Sequence, residues 1–112
     1  MKIAVPVANN RLCMHFGHCE VFSFFDVDET SKTITAQKDI TPPPHEPGIL
    51  PKWIREQGAN LVLAGGMGQR AQSIFNENGV KVVVGVTESD PEKAVFDYLQ
   101  GILKTGFNAC DH

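Results

Sequence analysis

Two cysteines and two histidines fall within seven residues, Cys13-Met14-His15-Phe16-Gly17-His18-Cys19. Thiolate and imidazole are the soft and borderline donors that suit zinc, copper, iron and metal–sulfur clusters. The steps between them are two residues from Cys13 to His15, three to His18 and one to Cys19. That spacing lacks the paired C-x-x-C knuckle of zinc fingers and the C-x-x-C of thiol oxidoreductases. A loop can still aim several of the four at one point, because Gly17 lets the backbone fold back and Phe16 can anchor it in the core. A free cysteine also serves as a small buried hydrophobe, so a structural role stays open.

Further groups join this cluster. The chain ends Cys110-Asp111-His112, which repeats the C-x-H spacing of Cys13 and His15. A flexible C-terminus carrying Cys110 and His112 could close over a ligand held by the first loop, or remain a disordered tail. His45 and Glu46 sit in the stiff stretch TPPPHEPG, 41–48, whose prolines fix the backbone. In LAGGMGQRA, 63–71, Gly65, Gly66, Met67 and Gly68 lead from a predicted strand into a predicted helix. Glycines there let backbone N–H groups converge, and a helix N-terminus favours anions. Met67 would be a soft contact at the tip, and Arg70 could pair with an anion. The pattern is neither G-x-G-x-x-G nor a P-loop, so a nucleotide is not indicated. Asp26 and Asp28 lack a carboxylate on the first strand to complete a two-metal site, and no serine sits in a nucleophile elbow.

The elements that must position these groups follow from periodicity. KIAVPVA (2–8) reads as a strand, with Pro6 requiring an edge or irregularity. Residues 9–19 read as a loop. EVFSFFDVD (20–28) and TITAQKDI (33–40) complete an antiparallel meander. ILPKWIREQG predicts an amphipathic helix closed by Gly58, and QRAQSIFNENG a second closed by Gly79. ANLVLAGG and VKVVVGV predict buried strands. The stretch 87–106 predicts a last helix with Asp90 as N-cap, Pro91 at its first position and an inward stripe through Ile102 and Leu103. The order βββαβαβα implies an α/β fold: a mixed five-stranded sheet, antiparallel in its first half and parallel in its second, with flanking helices.

Composition narrows the class. A chain of 112 residues suggests one domain, taken as 1–106 with a tail at 107–112. Such a chain buries roughly two-thirds of its unfolded surface and needs no metal or disulfide to fold. A net charge of −3 with scattered Lys and Arg argues against nucleic-acid binding. No stretch approaches a membrane span, no targeting segment stands out, and the cytoplasm and a monomeric state are expected. Three cysteines form no disulfide framework. On residues alone three functions remain: a metal–sulfur cluster binder, a mononuclear zinc or copper sensor or chaperone, and a thiol redox protein using Cys13, Cys19 and Cys110.

Taken together, IAVPVA, HFGHCEVF, PPPHEPGILPKWI, LVLAGGMGQRAQSIF, GVKVVVGV and NACDH resemble the dinitrogenase iron–molybdenum cofactor biosynthesis family. This small-domain group includes the NifX and NafY accessory proteins, the C-terminal domain of NifB, and the orange protein with its molybdenum–copper sulfide cluster. The resemblance spans nearly the whole chain, with His15-Phe16-Gly17 and the 65–71 stretch its most specific parts. It implies a ribonuclease H-like three-layer fold without nuclease activity and non-catalytic handling of a metal–sulfur cluster containing molybdenum, copper or iron. Partners in the family tend to be P-loop ATPases of the Mrp type. His18 stands where many members carry Arg, and Cys13 and Cys19 are not universal, so the ligand set follows only in outline.

Overall fold

The structure is a computed structural model that describes residues 1–14, 16, 19–44 and 48–106. Its elements in chain order are β1 (Lys2–Ala8), β2 (Arg11–Leu12), β3 (Val21–Asp28), β4 (Thr33–Ile40), α1 (Ile49–Glu56), β5 (Leu61–Leu63), α2 (Gln69–Glu77), β6 (Lys81–Val83) and α3 (Pro91–Gln100).

The sheet runs β4-β3-β1-β5-β6, with β2 paired to β1 off this path. β1 pairs antiparallel with β3 from Lys2↔Asp26 to Val7↔Val21. β3 pairs antiparallel with β4, interrupted by an irregularity between Asp26 and Val27. On its other side β1 is parallel to β5 at Ile3↔Leu61 and Ala4↔Val62, and β5 is parallel to β6. The expected division into antiparallel and parallel halves therefore holds, with β1 shared between them.

The strand added to the expected five is β2. Asn9 and Asn10 both take left-handed backbone, with φ of 54° and 63°. That is the two-residue hairpin geometry that asparagine tolerates well. It folds Leu12 back onto Val7 and Arg11 onto Ala8. Pro6 finds its place by the same arrangement, although β1 is central rather than an edge. Its carbonyl accepts from Cys13 N at 2.8 Å, so this residue turns toward the β2 side. Pairing with β5 has ended there at Ala4, and no ladder donor is missed.

Two apolar clusters fill the two faces. Ala4, Phe22, Phe24 and Val62 meet Leu50 and Ile54 of α1 and Phe75 of α2. Ile3, Val5, Phe25, Leu61 and Leu63 meet Ala94 and Val95 of α3. Alternation along β1 and β3 accounts for this, since successive side chains enter opposite layers.

Helix ends fall where glycine was expected to stop α1 and α2, with Gly58 and Gly79 at φ of 92° and 75°. Asp90 caps α3 by accepting from Glu92 N at 3.1 Å. The last helix is shorter than its periodicity predicts. Gly101 adopts φ 77° as its C-cap and ends it at Gln100. Ile102 is then 61% exposed rather than part of an inward stripe. The following segment instead forms an antiparallel bridge from Thr105 to Val86. Among the described residues no helix is long and apolar enough to cross a membrane.

Candidate functional site

Because β1, β5 and β6 are parallel, the chain leaves all three at one end of the sheet. This carboxyl end is where open α/β sheets bind ligands. Three connections meet there: the one after β1, the glycine stretch after β5, and residues 84–90 after β6.

The first connection starts and ends on consecutive carbonyls of β1. Cys13 N donates to Pro6 O at 2.8 Å, and Glu20 N donates to Val7 O at 2.9 Å. Between them Phe16 sinks into the core at 7% exposure. Its ring meets the edges of Phe22 and Phe75 at centroid distances of 5.6 and 5.5 Å. Phe16 N also donates to Gly66 O at 3.0 Å. The anchoring role expected of this side chain is thus realised, and the anchor rests partly on the glycine stretch.

The glycine stretch accepts that loop at very short range. A Cβ built on Gly65 would lie 3.2 Å from Met14 Cα and 3.1 Å from Met14 Sδ. A side chain at Gly65 would therefore have to push the Met14 stretch back; the constraint is the loop's close approach, not an unusual φ. Gly68, in contrast, faces open space and is the N-cap of α2, with no side-chain oxygen to serve the helix's first N–H groups. No acidic residue occupies the first turn. Arg70 is exposed on that turn, and no ion pair to it is found among the described residues. A helix start without a side-chain cap or an acidic residue in its first turn, next to the exposed Arg70, makes this wall attractive to an anion.

Met67 differs from the expectation. Its side chain is fully buried in the cluster beneath α1 and α2, not exposed at a tip. Its carbonyl accepts from Gln72 Nε2 at 2.9 Å. The exposed thioether at this end is Met14, at 52%. Its neighbours Cys13 and His15 are stronger donors, and a thioether beside them carries little signal of its own in the sequence.

Cys13 and Cys19 are both half-buried, and neither is in a disulfide. Burial pushes the Cys19 thiol up to about 12, and the nearby Cys13 pushes the same way, against a backbone hydrogen bond that lowers it. Cys19 is thus a neutral S–H at neutral pH. It can donate to a sulfide as it stands, whereas direct ligation to a metal must release its proton.

The third connection joins the other two through its backbone. Gly85 N donates to Gly65 O at 2.9 Å, and Val86 N to Ala64 O at 3.1 Å. Ser89 O accepts from Leu12 N at 2.7 Å. Lys93 Nζ bridges Glu88 at 3.2 Å and Asp97 at 3.0 Å, fastening this loop to α3.

His15, Gly17, His18, His45 and Glu46, together with Cys110 and His112, lie outside the described residues. Among the described residues no group of three His, Cys, Asp or Glu side chains is placed to hold a metal. The candidates that the structure does bring together are Cys13 and Cys19 on one wall, and Gly65, Gly66, Gly68 and Arg70 on the other.

The sequence pattern of the dinitrogenase iron-molybdenum cofactor family matches residues 1–101. The chain belongs to this family. Membership places it among proteins of cofactor biosynthesis or binding, and the match takes in both walls and all nine elements. A Methanocaldococcus jannaschii relative, the uncharacterized protein MJ0580, is 32% identical over 111 residues, covering 93% of this chain and 90% of its own. The crystal structure of PH0822 superposes with a TM-score of 0.87 at 30% identity, over 96% of each chain. The apo form of the orange protein from Desulfovibrio gigas superposes with a TM-score of 0.71 at 21% identity, over 96% of this chain and 93% of its own. That last likeness concerns the fold.

Proposed function

We propose that this protein is a non-catalytic carrier of an anionic metal–sulfur cluster, built from molybdenum, copper or iron, held between the Cys13–Cys19 loop and the Gly65–Gly68 wall. The observation that carries this reading is the direct contact of Met14 and Phe16 with Gly65 and Gly66, which sets a soft-donor wall against an anion-attracting one. Metal–sulfide clusters are polyanions. The α2 N-terminus and Arg70 supply positive potential, while Cys13 and Cys19 supply metal bonds or S–H donors to sulfide. His15, His18 and His45 are further candidate ligands, as are Cys110 and His112. A site open to solvent with few protein ligands suits a protein that must release its load, unlike a closed four-ligand structural site.

In this reading the fold follows the ribonuclease H-like plan of the family without its nuclease chemistry. The protein works as a cytoplasmic monomer, and an Mrp-type P-loop ATPase is the partner that exchanges cargo with it. Anaerobic reconstitution tests the reading, using tetrathiomolybdate with Cu(I) in one arm and an iron–sulfur donor in the other. The expected result is a stoichiometric chromophore that survives gel filtration and is lost in Cys13→Ala/Cys19→Ala. No chromophore in either arm would falsify the carrier assignment.

The proximity of Cys13 and Cys19 supports a second reading, a mononuclear zinc or copper chaperone. Metal tightly bound one-to-one without sulfide would select it. The raised Cys19 pKa counts against thiol redox catalysis, which needs an accessible thiolate.

A further inference from the structure

The three methionines of the chain stand in three different settings. Met67 is fully buried beneath α1 and α2. Met1 is 37% exposed at the start of β1, where its carbonyl accepts from Val27 N at 3.0 Å. Met14 is 52% exposed beyond the other end of β1, between the two walls of the site. Cys13 N is held on Pro6 O at 2.8 Å and Phe16 N on Gly66 O at 3.0 Å, so the backbone is fixed on both sides of Met14.

The sulfur of Met14 is placed against the glycine wall. Met14 Sδ and Met14 Cα lie 3.1 and 3.2 Å from where a Cβ on Gly65 would stand. Gly65 is not in left-handed backbone, so its missing side chain answers to space and not to torsion. That space is filled by Met14. The thioether therefore rests on one wall while its backbone belongs to the other, with Cys13 one residue before it and Cys19 five residues after. Packing accounts for Met67, which fills a core gap. At Met14 about half of the residue stays in water, and burial gains little there. Chemistry also separates this sulfur from the thiols beside it. A thiol must release a proton to bind a metal, whereas a thioether is a neutral donor with none to release. Zinc takes Cys, His and carboxylate, while a thioether is a soft donor that favours Cu(I).

We propose that Met14 is a direct ligand to a metal of the cargo, and that its thioether, seated on Gly65, selects Cu(I) over Zn(II). The inference rests on the Cys13–Cys19 loop and the glycine wall forming the binding site. It narrows the metal at the point of protein contact to copper. Cys13 and Cys19 supply the strong bonds, and Met14 supplies the discrimination. Gly65 acts through Met14, by leaving room for its sulfur at the seam between the walls.

The test uses the full-length reduced protein, kept anaerobic and labelled with carbon-13 at the methionine methyls, which gives one signal for each of the three methionines. Ag(I) alone, a closed-shell stand-in for Cu(I), should move the Met14 signal and saturate it at a single equivalent. Met1 is the internal control, an exposed thioether the length of β1 away, roughly 20 Å for a strand of this size, and its signal should stay in place. Met14→Leu conserves volume at an exposed position, so the fold is kept. It should lower Cu(I) affinity about tenfold, read by competition with bathocuproine disulfonate, and leave Zn(II) affinity within about twofold. Gly65→Ala keeps the sulfur but pushes it back by a few tenths of an ångström, and should lower Cu(I) affinity by less than Met14→Leu does. A Met14 methyl that Ag(I) moves no more than Met1 overturns the proposal. So does a loss in Met14→Leu that is equal for Cu(I) and Zn(II), the mark of a structural role. A shifted Met14 methyl together with failed cluster reconstitution upholds the thioether ligand and rejects the cluster-carrier assignment instead.

Discussion

The two walls of the site are built on opposite plans. The glycine wall is backbone: Gly65 and Gly66 are buried, their carbonyls are occupied by Gly85 and Phe16, and a single added carbon would press on Met14. The cysteine wall is side chain: Cys13, Met14 and Cys19 are partly open, and the buried Phe16 roots them in the core, with Cys19 packed against the same cluster. A backbone wall offers fixed N–H dipoles and tolerates little change. A side-chain wall offers exchangeable soft donors and can differ between relatives without disturbing the fold. Rigidity on one side and adaptable chemistry on the other is what a carrier of a preformed cluster requires.

The largest expected break in that comparison comes at the root of the cysteine wall. Phe16→Ala should cost about 3–5 kcal/mol, as a buried aromatic emptied from a packed cluster does. The single tryptophan reports it, since Trp53 lies 5.7 Å from both Phe22 and Phe24 and its fluorescence follows urea unfolding of that cluster. Next comes the contact between the walls. Gly65→Val should cost about 1–3 kcal/mol by overpacking and should weaken cargo binding by more than its loss of stability explains, because it lifts the Met14 backbone away. Gly68 sharpens the contrast. Gly68→Asp supplies the missing cap and should stabilise α2 by a few tenths of a kcal/mol, yet it should lower affinity for an anionic cluster by placing a carboxylate at the helix N-terminus. Denaturation and cargo titration should therefore move in opposite directions.

The smallest effect is a dependence on pH. The Cys19 pKa is about 12 in the folded chain against an ordinary 9.0. Below pH 9 both states hold the proton and the group has no pH dependence. Above it the unfolded state loses the proton first, so stability declines as pH rises from about 9 toward 12. Cys19→Ala should flatten that decline. The same shift should make Cys19 alkylate at least tenfold more slowly than an ordinary thiol at pH 7.5.

Much of this arrangement was legible in the residues. Strand alternation, the glycine stops of α1 and α2 and the Asp90-Pro91 start of α3 all read directly, because each depends on local chemistry. What did not read depends on contacts between distant segments. The apolar period of α3 runs on through Ile102 and Leu103, yet Gly101 turns the chain out and Gly85 accepts it 16 residues upstream. Gly85 looked like part of a buried strand, since nothing local reveals that Gly106 must pass its face. Met67 looked exposed because glycines surround it, but the turn points it inward beneath the helices. Met14 was hidden by more reactive neighbours. The two cysteines and the glycine wall were nominated together from sequence, and the parallel pairing of β1 with β5 is what makes them neighbours.

The central claim is that one ligand touches both walls at once. Amide chemical shifts during anaerobic titration with tetrathiomolybdate and Cu(I) test it most directly. Cys13 and Met14 should shift together with Gly65, Gly66 and Gly68, breaking at a single stoichiometric point. Shifts confined to the cysteine wall, with the glycine wall unmoved, would contradict it.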